Sequence, residues 1–283
     1  MRNLNEHNVT QVVLQQMEGT PDPRLKLVMA CLVRHLHAFF REAELTEEEW
    51  FAAVRFLAEM SGEEDFIRLS NVLGATALQD AIIHRKPPGV TQSSVLGPFF
   101  REGARELENG GNLAAVTEGD PTFFAGHVTT PAGEPIAGAL LDIWQNAPNA
   151  LYENQDDDQP DMNLRCKLRA DKNGAYAFRT VRPVSYPIPN RGPVGRLLKA
   201  LGRHHYRPAH MHFKVAADGY VPLTTALFAL GDPYLDSDAV YGVKETLVID
   251  FVRHDSPEEA LKRGVAPPFY TVDYDFQLVP LGG

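Results

Sequence analysis

The chain has 283 residues, is 44% hydrophobic and carries a formal net charge of -10, enough for one large or two smaller hydrophobic cores. So acidic a composition argues against nucleic acid and anionic membranes as partners, because both call for a basic surface. Two cysteines, Cys31 and Cys166, supply neither a disulfide framework nor a thiolate zinc cluster.

Residues 1–18 are polar, without the basic and apolar regions of a leader, and no run reaches membrane-spanning length. A cytoplasmic protein without membrane insertion is expected. From about residue 8 to 84 the pattern is helical: Leu25, Val28, Cys31, Leu32, His35, Leu36 and Phe39 recur at spacings of three and four. Thr46 followed by Glu47, Glu48 and Glu49 forms a capping box, opening a helix to about residue 61 with Trp50, Phe51, Val54 and Leu57 as its apolar stripe. A third helix is expected over 63–84, stopped by Lys86, Pro87, Pro88 and Gly89. Residues 101–119 read as a loop.

From residue 122 the pattern changes to short alternating runs at 123–129, 139–145, 175–180, 212–216, 223–230 and 246–252, separated by Gly, Pro, Asp and Asn. These predict an antiparallel β-sandwich. The expected class is therefore α+β, with a helical domain and linker over 1–100 and a sandwich over 101–283. Asp156, Asp157 and Asp158 lack the alternating acids and closing Glu of a calcium loop and read as a solvated turn.

The run Arg207-Pro208-Ala209-His210-Met211-His212-Phe213 is the clearest candidate for chemistry. Residues i and i+2 of a strand share a face, so His210 and His212 point the same way. Two readings stand: a pair of metal ligands beside the permanent charge of Arg207, or a pair of hydrogen-bonded, half-buried imidazoles. His204 and His205 read as surface loop residues. No Asp or Glu within the run completes a three-residue metal site, which turns attention to tyrosines. Tyr186 sits in Val184-Ser185-Tyr186-Pro187-Ile188-Pro189, where prolines stiffen the backbone, and Tyr152 follows the strand ending at Gln145 and a Pro/Asn turn.

Four features in order then resemble the catalytic domain of the intradiol ring-cleaving dioxygenases: Leu151-Tyr152 after Asp142-Ile143-Trp144-Gln145, the Tyr186 loop running into Gly192-Pro193-Val194-Gly195, the Arg207 to His212 run, and Gly231-Asp232-Pro233-Tyr234. The helical first third resembles the family's dimerisation domain, and Val95-Leu96-Gly97-Pro98-Phe99 its active-site linker. The resemblance implies that Tyr152, Tyr186, His210 and His212 hold one Fe(III) per subunit. It makes Tyr186 the tyrosinate that leaves the metal and takes a proton, and Arg207 the group that stabilises negative charge on the ring. It further implies an aromatic diol or triol and O2 as substrates, a homodimer through the helical domain, and a phospholipid between protomers. Two tyrosinates are hard anionic donors that favour ferric over ferrous iron.

Within the family, Thr224-Thr225 is followed here by Ala226, where catechol enzymes usually place a Gln shortly afterwards. The segments 185–189 and 236–244, with Asp80, lean instead toward the hydroxyquinol branch. By this resemblance Ala77, Asp80, Ile188, Pro189, Ala226 and Val240 join the 95–99 linker and Arg207 around the substrate. Asp80 is expected to accept a hydrogen bond from a third ring hydroxyl, and the small Ala77, one turn earlier, to leave room for a substituent. Catechol or a substituted catechol is the alternative substrate. From another class, a β-sandwich binding module or a structural zinc at His210 and His212 would give a colourless protein.

Overall fold

The computed structural model describes residues 4–85, 87 and 89–282; of the expected helix stop, Lys86 and Pro88 lie outside the described residues. The chain forms two compact units, Met1–Met60 and Ser61–Gly283. The first contains α1 (Val9–Gln16), α2 (Pro23–Ala43) and α3 (Glu47–Ala58). Asp22 caps α2 by accepting the backbone N–H groups of Arg24 and Leu25, and Thr46 and Glu49 form the expected reciprocal capping box of α3. No residue of these three helices is buried. Leu25, Leu32, Leu36, Phe39, Trp50 and Phe51 are all exposed.

The second unit begins with α4 (Glu63–Val72) and α5 (Ala75–Ile83), where one continuous helix was expected. Gly74 adopts φ +74, a left-handed conformation that ends one helix and starts the next. The packing boundary thus falls after Met60, with α4 and α5 on the side of the sheets. Arg203 Nη1 donates to the Val72 carbonyl, and Lys244 pairs with Asp80.

The strands are β1 (Pro121–Thr129), β2 (Leu140–Gln145), β3 (Arg165–Arg169), β4 (Ala175–Val181), β5 (Tyr186–Pro187), β6 (Tyr206–Arg207), β7 (His210–Ala216), β8 (Leu223–Ala229), β9 (Val248–Ile249), β10 (Val252–His254), β11 (Phe269–Asp273) and β12 (Phe276–Gln277), with α6 (Gly192–Ala200) before β6 and α7 (Pro257–Lys262) before β11. One sheet runs β10-β11-β1-β12 with β4 also on β1, and the other β3-β2-β7-β8-β9. The expected sandwich is present, but its sheets are mixed. β1 is parallel to both β11 and β12, and β8 is parallel to β9. A parallel neighbour requires a connection long enough to return the chain to its starting edge, and residues 230–247 supply one between β8 and β9. The run expected over 246–252 splits for the same reason: β9 completes one sheet and β10 pairs with β11 in the other.

Between the sheets lies an aromatic core. Phe124 stacks on Phe178 with 5.0 Å between ring centroids, and Phe213 meets Phe276 at 4.9 Å. Leu141, Ile143, Met211 and Val215 fill the space around them. Such burial contributes roughly 2 kcal/mol per large side chain. No helix among the described residues is long and apolar enough to cross a membrane.

Candidate metal centre and substrate cavity

Alternation along β7 sends Met211, Phe213 and Val215 into the core and turns His210 and His212 to the other face. Strand register sets Trp144, His212 and Ala226 in one row across that face. The Trp144 indole lies flat against the His212 ring, 4.8 Å between centroids and 3° between planes. His210 Nε2 and His212 Nε2 are 3.0 Å apart. His210 Nδ1 lies 2.7 Å from the Pro208 carbonyl oxygen, which can only accept, so Nδ1 carries the proton and Nε2 presents a lone pair.

The two-stranded ribbon of β5 and β6 pairs Tyr186 directly with Arg207. Arg207 Nη1 donates to Tyr186 Oη at 3.4 Å and stands 3.2 Å from His210 Nε2. Asp232 accepts from Ser185 Oγ and from the Ala209 N–H at 2.9 Å, so one carboxylate joins the residue before Tyr186 to the residue before His210. After β2 the Ala147 N–H closes a turn on the Leu151 carbonyl, which delivers Tyr152 to the same place. Ring centroids run in a chain: Tyr152 to Tyr186 5.4 Å, Tyr186 to His210 5.4 Å, His210 to His212 4.7 Å.

All four side chains are buried, and burial sets their ionisation. Desolvation, then the Arg207 charge, holds His210 well below its ordinary value; His212 is lowered by desolvation, then by His210, Arg207 and Arg165. Tyr152 is pushed well above 10 by desolvation and by Tyr186, against the pull of Arg207. The protein alone therefore holds neutral imidazoles beside a neutral Tyr152 phenol. Burial opposes the charge of Arg207, yet Asp238 and the tyrosines keep it above its ordinary value.

Tyr152 Oη is buried without a hydrogen-bond partner among the described residues, a costly arrangement for a folded protein on its own. Two nitrogen donors and two phenolic oxygens converging on one buried point fit a small, highly charged cation such as ferric iron. No group of three His, Cys, Asp or Glu suited to a metal occurs among the described residues, so a metal here depends on the tyrosine oxygens.

A cavity of about 300 Å³ adjoins this point. Of the expected residues, Val95, Gly97, Pro98, Phe99, Tyr186, Ile188, Pro189, Arg207 and Val240 line it. Phe99 stacks on Tyr152 at 4.5 Å. Gly97 has φ +72, and a Cβ there would lie 3.7 Å from the His212 ring, so the backbone passes close over that imidazole.

Ala77, Asp80, Leu96 and Ala226 are not on the cavity wall. Leu96 is exposed, and Ala226 is fully buried opposite His212. Asp80, expected to accept a hydrogen bond from a third ring hydroxyl, accepts from Lys244 Nζ at 2.8 Å, from Ser93 Oγ at 3.0 Å, and lies 2.8 Å from His84 Nδ1. Glu64, Ile67, Arg68 and Asn71 of α4 also line the cavity, with Asn154 and Gln155. Their spacing of three, four and seven residues marks one helical face. His204 and His205 are half-buried, His204 Nε2 lying 2.8 Å from Ser237 Oγ and His205 Nε2 3.1 Å from Asn190 Nδ2.

Family models match nearly the whole chain: "Dioxygenase" over residues 95–280 and "Catechol dioxygenase N terminus" over 22–91. The hydroxyquinol 1,2-dioxygenase of Rhizobium sp. (strain MTP-10005) is 43% identical over 280 residues, covering 96% of this chain and 95% of that protein. Among solved structures, the hydroxyquinol 1,2-dioxygenase from Pseudomonas putida DLL-E4 superposes with a TM-score of 0.91 at 44% identity, covering 97% of this chain and 98% of that one. The catechol 1,2-dioxygenase from Pseudomonas arvilla C-1 gives 0.85 at 28% identity, covering 96% and 92%. In sequence, in fold and in the convergence of two tyrosines and two histidines beside a cavity, the chain belongs to the intradiol ring-cleavage dioxygenases.

Proposed function

We propose that this dioxygenase cleaves hydroxyquinol, benzene-1,2,4-triol, between its two adjacent hydroxylated carbons, placing both atoms of O2 in the product, 3-hydroxy-cis,cis-muconate, the enol form of maleylacetate. The observation that carries the reading is the meeting of Tyr152, Tyr186, His210 and His212 at one buried point, in a chain that follows a hydroxyquinol enzyme at 44% identity and a catechol enzyme at 28%. A triol asks for a polar group beyond those that meet the first two hydroxyls. Asn71, whose buried Oδ1 lacks a partner among the described residues, and Arg68 stand on the cavity wall.

The family uses non-haem iron, and Tyr152, Tyr186, His210 and His212 would hold one Fe(III) per subunit. When bound, ferric iron supplies a hard Lewis acid for the two adjacent ring oxygens. Tyr186 lines the cavity, where its Oη would take up a proton released by the incoming substrate. Tyr152 is sealed behind Phe99 and remains a fixed donor. The Pro208 carbonyl holds the His210 ring in the tautomer that presents Nε2. Arg207, permanently charged, faces the negative charge that develops on the ring. Phe99, Ile188, Pro189 and Val240 flank the ring and keep water away.

The helical unit carries exposed apolar residues, so a homodimer through the helical domain, with a phospholipid between protomers, belongs to the same proposal. The free cysteines, Cys31 exposed and Cys166 buried, suit a reducing cytoplasm. The deciding assay compares hydroxyquinol with catechol on iron-loaded enzyme. The expected result is a higher kcat/KM for hydroxyquinol; a strong preference for catechol overturns the substrate assignment.

A further inference from the structure

Arg207 is buried to 2% exposure, and its guanidinium has two working edges. Nη1 points at Tyr186 Oη and His210 Nε2. The opposite edge is gripped by a single carboxylate: Nε donates to Asp238 Oδ1 at 3.0 Å and Nη2 to Asp238 Oδ2 at 3.1 Å. Asp238 is itself 4% exposed and held in turn by the N–H groups of Val240 at 3.3 Å and Gly242 at 2.8 Å. Ser94 Oγ pins the Gly242 carbonyl at 2.7 Å. A Cβ on Gly242 would come within 2.7 Å of Arg207 Nη2 and 3.2 Å of Asp238 Oδ2, so the absence of a side chain there leaves room for the grip.

A bidentate guanidinium–carboxylate pair fixes a plane as well as a distance. We propose that Asp238 is a positioning residue for ring cleavage: it touches no substrate, and it sets the plane of the Arg207 guanidinium so that Nη1 faces the cavity at the place where charge develops. This deepens the assignment of Arg207 above and rests on it. Without the second carboxylate oxygen, one of the two bonds that fix the guanidinium plane is lost. Misplacement of such a group costs on the order of 10²-fold in turnover.

The test uses Asp238→Asn and Gly242→Ala in the iron-loaded full chain, with iron content, visible spectrum, kcat and KM measured on the better of hydroxyquinol and catechol. Both variants are expected to keep iron and colour and to lose kcat with little change in KM. Wild-type kcat in folded Asp238→Asn overturns the proposal, as does a loss that disappears after correction for iron content. If Asp238→Asn does not fold, Gly242→Ala decides: unchanged kcat overturns. A second readout needs neither metal nor turnover. In iron-free protein the Arg207 Nε–H should exchange slowly in wild type and in Tyr186→Phe, and quickly in Asp238→Asn or Gly242→Ala; equal exchange in all of them refutes the grip. Wild-type enzyme inactive on both substrates would count against the proposed function while leaving the exchange test in force.

Discussion

Asp80 is a largely buried carboxylate tied to Lys244, Ser93 and His84. Burial by itself would raise its pKa, but the hydrogen bond and charge of Lys244, with His84 and Ser93, hold it below the ordinary 3.8. A carboxyl whose folded pKa is depressed contributes stability above its unfolded value, and that contribution disappears as pH falls through the folded value. Asp80→Asn should therefore lower stability by about 2 kcal/mol at neutral pH, the scale of a half-buried, charge-assisted bond. The difference from wild type should shrink once the pH drops below about 4. Urea denaturation across pH checks this, and a difference independent of pH contradicts it. The substrate role expected of Asp80 is checked with the same variant: a selective loss of kcat/KM on hydroxyquinol relative to catechol supports it, and equal losses on both refute it. Its role could not be read from local pattern. Lys244 lies 164 positions away, and only the return of residues 230–247 to the face of the second sheet brings the pair together.

At the level of elements, period-two alternation made β7 legible before its fold was known. His210 and His212 share a face because the strand permits nothing else, and the same rule commits Phe213 to the core, where it meets Phe124, Phe178 and Phe276. Phe213→Ala should cost about 3–5 kcal/mol in unfolding free energy, read from the urea midpoint. A loss under about 1 kcal/mol would mean that the core collapses around the gap. The capping box of α3 was equally visible, since all of its chemistry lies within four residues. What local pattern could not carry was connection. Parallel pairing of β1 with β11 and β12 depends on where distant segments return, and the short strands β5 and β6 are recognisable only once Tyr186 and Arg207 are side by side. The break at Gly74 was present in the residue itself, but a glycine within an apolar helical pattern has more than one reading until its φ is known.

For the molecule as a whole, the helices over residues 9–58 leave apolar residues such as Leu32 and Phe39 at 53% exposure each, and the proposed dimer would form through them. Replacing both by Asp should convert a dimer to a monomer in sedimentation, with the visible spectrum of each subunit retained; a wild-type chain already monomeric at micromolar concentration would refute the dimer. In the other unit Tyr152 comes from the turn after β2, Tyr186 from β5, and His210 and His212 from β7. The most direct test is the visible spectrum of the purified protein after loading with Fe(III). The account predicts broad absorption from charge transfer between tyrosinate and iron, altered in Tyr186→Phe and in Tyr152→Phe, with one iron bound per subunit. A protein that stays colourless with iron present, or whose spectrum is indifferent to both substitutions, would contradict it.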